Sequence, residues 1–516
     1  MSLIEAYIIT FIASFCSLVI EMVAGRILAP FVGVSLYTWT SIIGVILAGI
    51  SIGAYIGGKI IDRYPRRTTL ALLLLLSGIA ALTIIPLTNM VAAYRFPFSL
   101  MWRIFTVTAI IFFIPGCILG TISPVVIRLT LQSLNRAGNV IGKIYAFSTL
   151  GAIIGTFATG FLLISWMGTR NIIFTMGIVL ILAALFAGRL FRHKGAVTVI
   201  VVLCAVSLVP LYIWAYKMPV TSPTYYYKES DYYTIKLTKT RGRNWATPVE
   251  ALILDHLIHS YVDLANPLHI EYEYERIYGE ILKWMYGPES AFKSLSIGGG
   301  GYTFPRYMEL TYPNAHIEVV EIDPEVTNVV YSHLGLPKTT RIRSFNTDGR
   351  WFVMNCKKKY DVIMTDAFND LSIPYHLTTK EFMKQLDSIL NDDGILMSNI
   401  IDNFQQGAFL PSYIRTLGEV FGPRNVYLFS ISPDFEKLRI STFIVAATKG
   451  GRDMKKFDAW LKERIGGKAK SVLVSDALMQ KLLAHRQSIV MTDDYAPVDN
   501  LIAPIFEERF GYKGKR

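Results

Sequence analysis

Apolar residues fill the first two hundred or so positions in long unbroken runs, about 5–29, 37–61, 68–91, 99–130, 139–166, 170–189 and 195–216; beyond Lys217 they recur in short alternating blocks. A bilayer core takes roughly 20 apolar residues per helix, so the runs predict about seven membrane-crossing helices over residues 1–217. Small residues recur within them, as in GVILAGISIGAYIGG and GAIIGTFATG. Spans in lipid have no hydrophobic drive to associate, and such residues let their backbones approach. A compact transmembrane bundle is expected.

The second half has a different period. YYTIKLTKT and EALILDHLIHSYVD alternate on either side of RGRNWATP, which predicts a small β-hairpin region over residues 218–270. YEYERIYGEILKWMY then sets Tyr274, Ile277, Tyr278, Ile281 and Leu282 at helical spacing. SLSIGGGG, HIEVVEID, RIRSFNTD, YDVIMTDA, GILMSNII, NVYLFSI and TFIVAAT read as strands, with helical text between most of them. Residues 271–516 therefore predict a doubly wound, Rossmann-like α/β sheet that closes with an antiparallel pair.

Charge sharpens the division. Residues 1–217 hold 15 Lys and Arg against Glu5, Glu21 and Asp62, which accounts for the whole net charge of +12; the remainder balances 36 basic against 36 acidic side chains. The excess belongs to loops beside a bilayer and gives no support to a nucleic-acid partner. Lys59, Arg63, Arg66 and Arg67, then Arg128, Arg136 and Lys143, then Arg189, Arg192 and Lys194 fall in alternate loops, which the positive-inside rule puts in the cytoplasm. Seven crossings place the large C-terminal half on the opposite face; an even number returns it to the cytosol, and both remain open. Glu21, inside the first run, is costly in lipid and marks a candidate membrane-embedded site, either a structural carboxylate paired with Arg26 or a contact for a polyamine or headgroup. Cys16, Cys117, Cys204 and Cys356 lack metal-ligand spacing, and no metal is expected.

The candidate chemistry gathers at the carboxyl ends of the predicted strands, where an open α/β sheet holds its ligand. Gly298, Gly299, Gly300 and Gly301 follow the first strand directly, so backbone can approach a ligand that a Cβ would push away. Glu321 ends the second strand 23 residues beyond Gly298, near the spacing at which an acidic residue accepts both ribose hydroxyls. Asp348, followed by Gly349, is placed after the third strand to accept from an adenine amino group, and Asp366 closes the fourth. Three acidic strand ends after a glycine loop point to an adenosyl ligand. A pyrophosphate fits less well, because GGGGYTF lacks spaced glycines and a helix entry.

From about Asp231 to Ile401 the chain resembles the spermidine synthases, or polyamine aminopropyltransferases, in a fused form with an N-terminal multi-span membrane domain. The family's GGGDGG is matched by Gly298 to Gly300, its VEID by Val320 to Asp323, its DG by Asp348 and Gly349, and its YDVII-D by Tyr360 to Asp366. LILDHLIH resembles its LDG--Q, and ERIYGEIL its EFMYHEML. The resemblance implies that Glu321 holds the ribose of decarboxylated S-adenosylmethionine and that Asp348 and Gly349 meet its adenine. It places His259 where a Gln contacts the nucleoside, and makes Asp366 the acceptor of a proton from the attacking amine, assisted by Asp370 and Tyr278. Glu280 and Tyr302 fall to the substrate side.

The departures from the family lie in the same motifs. Gly301 replaces the aspartate that pairs with the aminopropyl ammonium, Gly279 replaces the His of the Tyr-His pair, and the second acid of DSSDP is Asn369 or, one step late, Asp370. Losing the loop carboxylate removes a charge-assisted contact. Either other residues bind that amine or the donor is S-adenosylmethionine itself. Asp493 and Asp494, in MTDDYAPVDN, are candidates to hold the amine or to cap a turn. Tyr225 to Tyr233 either stack on a cation or form an interfacial belt or edge strand.

The leading expectation is a membrane-integrated aminopropyltransferase acting on a small or lipid-borne amine. Methyl transfer on the same fold and a polyamine-binding transporter or sensor with a silent synthase-like domain are the alternatives. The membrane half would present a lipid-borne amine, admit a polyamine or anchor the enzyme among membrane lipids, and a homodimer is left open.

Overall fold

The computed structural model describes residues 1–33, 35–91, 94, 98, 100–131, 136–189, 209, 211–216, 223–242, 247–255, 257–367, 373–465, 472–484 and 488–510. The chain divides into two compact units, one of Met1–Pro219, Glu229–Asp231 and Tyr512–Arg516, the other of Val220–Lys228 and Tyr232–Gly511.

The first unit contains α1 (Leu3–Val32), α2 (Leu36–Arg63), α3 (Arg67–Val91), α4 (Leu100–Gly120), α5 (Ile122–Thr130), α6 (Ala137–Ala158) and α7 (Ile164–Ala187). Ser2 and Glu5 make a capping box at the start of α1. Glu5 also pairs with Arg67 and Arg189, which gathers the beginnings of α1 and α3 and the end of α7. Glycine sets the closest packing. Gly49, Gly53 and Gly57 lie against Phe113, Cys117 and Thr121, and Gly151 and Gly155 against Phe11 and Phe15, closer than a Cβ would allow. These contacts advance together along both helices, so α2 runs parallel to α4 and α6 to α1. Gly78 and Leu82 of α3 meet Ile181 and Gly177 of α7 in reverse order, which makes that pair antiparallel.

Among the described residues, five helical segments are long and apolar enough to cross a membrane: Leu3–Val32, Leu36–Arg63, Arg67–Val91, Met101–Thr130 and Ala137–Ala187. The pattern predicts seven runs, and the difference has a definite place. Ala137–Ala187 has 51 residues. At 1.5 Å per residue that is about 76 Å, more than twice a bilayer core. It breaks at Gly168, whose φ of 73° and ψ of 160° are not helical, so two predicted runs become one segment with oppositely directed halves. The seventh run, 195–216, lies mostly outside the described residues. Its last turn has the Ala215 carbonyl accepting from Asn89 and Arg170, at the far end of α3 from Arg67. Glu21 makes no ion pair among the described residues; Arg26 donates instead to the carbonyls of Ser230 and Asp231.

The second unit has two sheets. The smaller holds β1 (Thr224–Glu229), β2 (Thr234–Arg241), β3 (Pro248–Leu254) and β4 (Leu257–Val262) in that order, so the tyrosine-rich β1 is an edge strand. EALILDHLIHSYVD, one alternating run in sequence, forms both β3 and β4. The break comes at Asp255, which takes a φ of 55° and accepts the Thr234 amide.

The larger sheet contains β5 (Lys293–Ile297), β6 (His316–Glu321), β7 (Arg343–Asn346), β8 (Tyr360–Thr365), β9 (Leu390–Asp402), β10 (Val426–Ser430), β11 (Ser441–Thr448) and β12 (Val472–Leu473). Its order is β12-β10-β11-β9-β8-β5-β6-β7. The pairs from β7 to β9 are parallel, and β11, β10 and β12 extend the sheet antiparallel. This is the α/β sheet that the alternating pattern predicts, with the two-residue β12 as an unforeseen edge. β5, β8 and β9 are buried along most of their length, which is why they read as apolar runs.

Candidate functional site

The strand order reverses between β5 and β8: the chain leaves β5 toward β6 and β7, then returns to lay β8 and β9 on the other side. Such a switch point opens a crevice at the strand ends. Gly298 sits at its floor with a φ of 99°, and a Cβ there would strike the Asp366 carbonyl. Its N–H donates to Val320 at 2.8 Å, while the Asp366 N–H donates to Ile297 at 2.9 Å. Glycine is required here both for conformation and for space.

Three carboxylates stand around this point. Glu321 at the end of β6 is buried. Its Oε2 accepts from the Gly299 amide at 2.9 Å and the Gly300 amide at 3.3 Å, and its Oε1 from the Asp323 amide at 3.0 Å. Burial pushes its carboxyl up, against the pull of those three amides. Asp348 caps the Gly349–Asn355 helix, with Oδ1 accepting from the Trp351 amide at 2.9 Å and Oδ2 lying 2.9 Å from His376 Nε2. Burial works against ionisation there, but the Trp351 amide and His376 outweigh it and hold the carboxyl below its ordinary value. Asp366 follows β8, accepting from the Tyr274 hydroxyl at 2.7 Å and from Asn399 Nδ2 at 3.1 Å. Burial pushes Asp366 up in spite of both bonds and of nearby His259.

All three line one cavity of about 610 Å³, together with Gly298, Gly299, Gly300, Gly349, His259 and Tyr278. That volume suits a nucleoside-sized ligand. The His259 ring nitrogen Nδ1 lies 3.0 Å from the Leu257 carbonyl, which orients the imidazole at the cavity wall. Gly301 is beside the cavity but gives its N–H to Ser260 Oγ at 2.8 Å.

Four other sequence candidates stand outside the cavity wall. Glu280 is two residues past Tyr278, about 200° around the helix, and pairs with Lys283 and Arg464. Tyr302 takes a φ of 55° and turns beneath the glycines, fully buried, with its hydroxyl 3.1 Å from Ser344 Oγ. Asp493 is held by both guanidinium nitrogens of Arg350 and by the Thr379 hydroxyl. Asp494 is exposed in the turn bridged by Thr492 and Tyr495. Asp370 and Asn369 lie outside the described residues.

The structure adds Tyr274, Glu275, Asn399 and His376 to the cavity. Tyr274 and Glu275 belong to the Glu273–Met285 helix, where a glutamate beside two buried tyrosines was the available signal. Asn399 was visible as a lone amide in the apolar run of β9. Among the described residues no cluster of three His, Cys, Asp or Glu is placed to hold a metal ion.

A glycine turn at a sheet switch point, with acidic strand ends converging on a nucleoside-sized hollow, defines an α/β domain of the methyltransferase-like class. Residues 287–455 match the family described as the spermine/spermidine synthase domain. The chain is similar to a probable polyamine aminopropyl transferase of Bifidobacterium longum, 26% identical over 238 residues that cover 41% of this chain and 49% of the relative. The chain thus spans about half the length of that relative. It is also similar to a polyamine aminopropyltransferase of Corynebacterium efficiens, 26% identical over 405 residues and covering 73% of each chain, an alignment longer than the C-terminal unit. A crystal structure of a probable spermidine synthase from Corynebacterium glutamicum is 21% identical, covers 53% of this chain and 96% of its own, and superposes with a TM-score of 0.43.

Proposed function

We propose that the C-terminal unit transfers the aminopropyl group of decarboxylated S-adenosylmethionine to an amine, and that the helical unit is embedded as a multi-pass membrane domain. The observation that carries the reading is the convergence of Glu321, Asp348 and Asp366 on the cavity beside Gly298, within a domain that matches the synthase family. In the reaction the amine nitrogen attacks the methylene carbon next to the sulfonium. The C–S bond breaks, its electron pair returns to sulfur, and methylthioadenosine leaves as the amine proton passes to Asp366. The sulfonium is already a good leaving group, so the protein's work is alignment and proton removal. Tyr278 stays protonated, because burial and then the nearby Asp366 push its phenol well up; it supports the reaction as a hydrogen-bonding group. The acceptor is a small amine or one borne on a lipid.

Gly301 favours a second reading, methyl transfer from S-adenosylmethionine, because the loop offers no carboxylate to an aminopropyl ammonium. Incubating the purified full chain with each donor and an amine separates the two. Release of methylthioadenosine supports the first reading, S-adenosylhomocysteine the second, and absence of both products refutes them together.

Asp348→Ala removes a helix cap and an acceptor for the adenine amino group at once. A lost cap costs about 1 kcal/mol, seen as a small fall in melting temperature. Discrimination between adenosyl and inosyl forms of methylthioadenosine should disappear in a binding titration; preserved discrimination would remove Asp348 from the base site.

A further inference from the structure

This inference rests on the aminopropyl-transfer reading and concerns what holds a substrate amine when the glycine loop has no acid. No side chain fits at 301: an ideal Cβ would lie 2.7 Å from Ser260 Cβ and 2.9 Å from Val262 Cγ2. β4 has filled the space. A carboxylate reaches the same loop from the opposite wall, however. Thr303, two residues past Gly301, donates its hydroxyl to Glu275 Oε1 at 2.6 Å. Glu275 is 6% exposed and lines the cavity, and among the described residues its Oε2 accepts no hydrogen bond. Two further polar atoms lining the cavity, the Tyr278 hydroxyl and Asn399 Oδ1, are buried without partners among the described residues. A buried polar atom left unmatched costs about 1–3 kcal/mol, and two of them on the cavity that an unbonded carboxylate oxygen also lines mark the place of a polar ligand group.

We propose that Glu275, flanked by Tyr274 and Tyr278, forms the subsite for a substrate's primary alkylammonium in this protein. The ammonium supplies donors to the unbonded Glu275 oxygen and to the Tyr278 and Asn399 oxygens, and places its charge against a carboxylate. Its source is either the donor's aminopropyl group or the acceptor amine. Burial, and then the charge of Asp366, push the Glu275 carboxyl up to about 8. An arriving ammonium therefore draws Glu275 into its ionised form and expels a proton. Asp366 from the end of β8 and Tyr274 and Tyr278 on its own helix are the titratable groups around it.

The test compares the full chain in detergent with Glu275→Gln, using methylthioadenosine, decarboxylated S-adenosylmethionine and 1,4-diaminobutane as calorimetric probes. The variant removes a buried acid whose charged form is disfavoured, so it should melt no lower than the parent near pH 8. It should bind methylthioadenosine within about twofold of the parent and lose about tenfold or more for an ammonium-bearing probe. Loss on the nucleoside assigns the donor's ammonium; loss on the diamine assigns the acceptor's. The parent should release a proton on binding that probe near neutral pH, read as a buffer-dependent heat, and the variant should not. Parallel loss of methylthioadenosine, or unchanged affinity for both ammonium probes, overturns the subsite alone. A parent that binds no nucleoside overturns the aminopropyl-transfer reading with it.

Discussion

Asp366→Asn is expected to lower kcat about a thousandfold while leaving the affinity for methylthioadenosine within a few fold. The asparagine has the same shape, and its oxygen can still accept from Tyr274, the 2.7 Å partner of the parent carboxylate. Its amide would face Asn399 Nδ2, but Asn399 can turn its side chain to present Oδ1, which has no partner among the described residues of the parent. The hydrogen-bonded wall survives, so the loss is one of proton acceptance. The parent's pH profile carries the same signature. Burial raises the Asp366 carboxyl above its ordinary 3.8, and the base works only when ionised, so kcat/KM should climb with pH on a limb displaced upward from that value. At pH values below the limb the rate is lost, and the Asn variant should show no such limb. A variant of near-parental rate would remove Asp366 from the chemistry.

Glu321→Gln should raise the dissociation constant for methylthioadenosine about a hundredfold, two lost contacts at roughly 1–1.5 kcal/mol each. In the proposed site the carboxylate would serve the ligand as well as its own loop. Its two oxygens accept three backbone amides, from Gly299 and Gly300 on one side and Asp323 on the other. A Gln oxygen can serve one side only, and its NH₂ then meets an N–H on the other, donor against donor. The loop loosens and the ribose loses an acceptor. Calorimetry with methylthioadenosine measures the affinity, and thermal melting should show a lower midpoint from the same cause. Unchanged binding would mean that the nucleoside lies elsewhere.

The larger elements were legible because their periods are enforced over many residues. Six of the seven apolar runs, the α/β alternation and the glycine loop appear where the pattern places them, since a long apolar helix or a twice-buried strand tolerates few exceptions, while the seventh run lies mostly outside the described residues. Placement was legible where a residue is tied to a strand end, as for Glu321, Asp348 and Asp366. It was not legible where the role depends on how far a turn rotates. Tyr302 is next to the glycines in sequence, yet its left-handed backbone sends the ring under them. Asp493 reads as a free acid beside Asp494, but Arg350, 143 residues away, claims it. Glu275 has no sequence reading of its own, and its burial is what singles it out. Gly168 shows the same limit in the helical unit. One glycine within apolar text does not reveal that its φ is positive.

The tight meeting of Gly301 with Ser260 and Val262 constrains how this protein could change over generations. An acid at 301 clashes unless position 260 first becomes smaller, and a smaller residue at 260 without an oxygen strands the 301 amide. Each single step is harmful, and even the pair leaves Val262 in the way. Such mutual dependence behaves as a ratchet: with glycine in place, the loop is held away from an acid at 301.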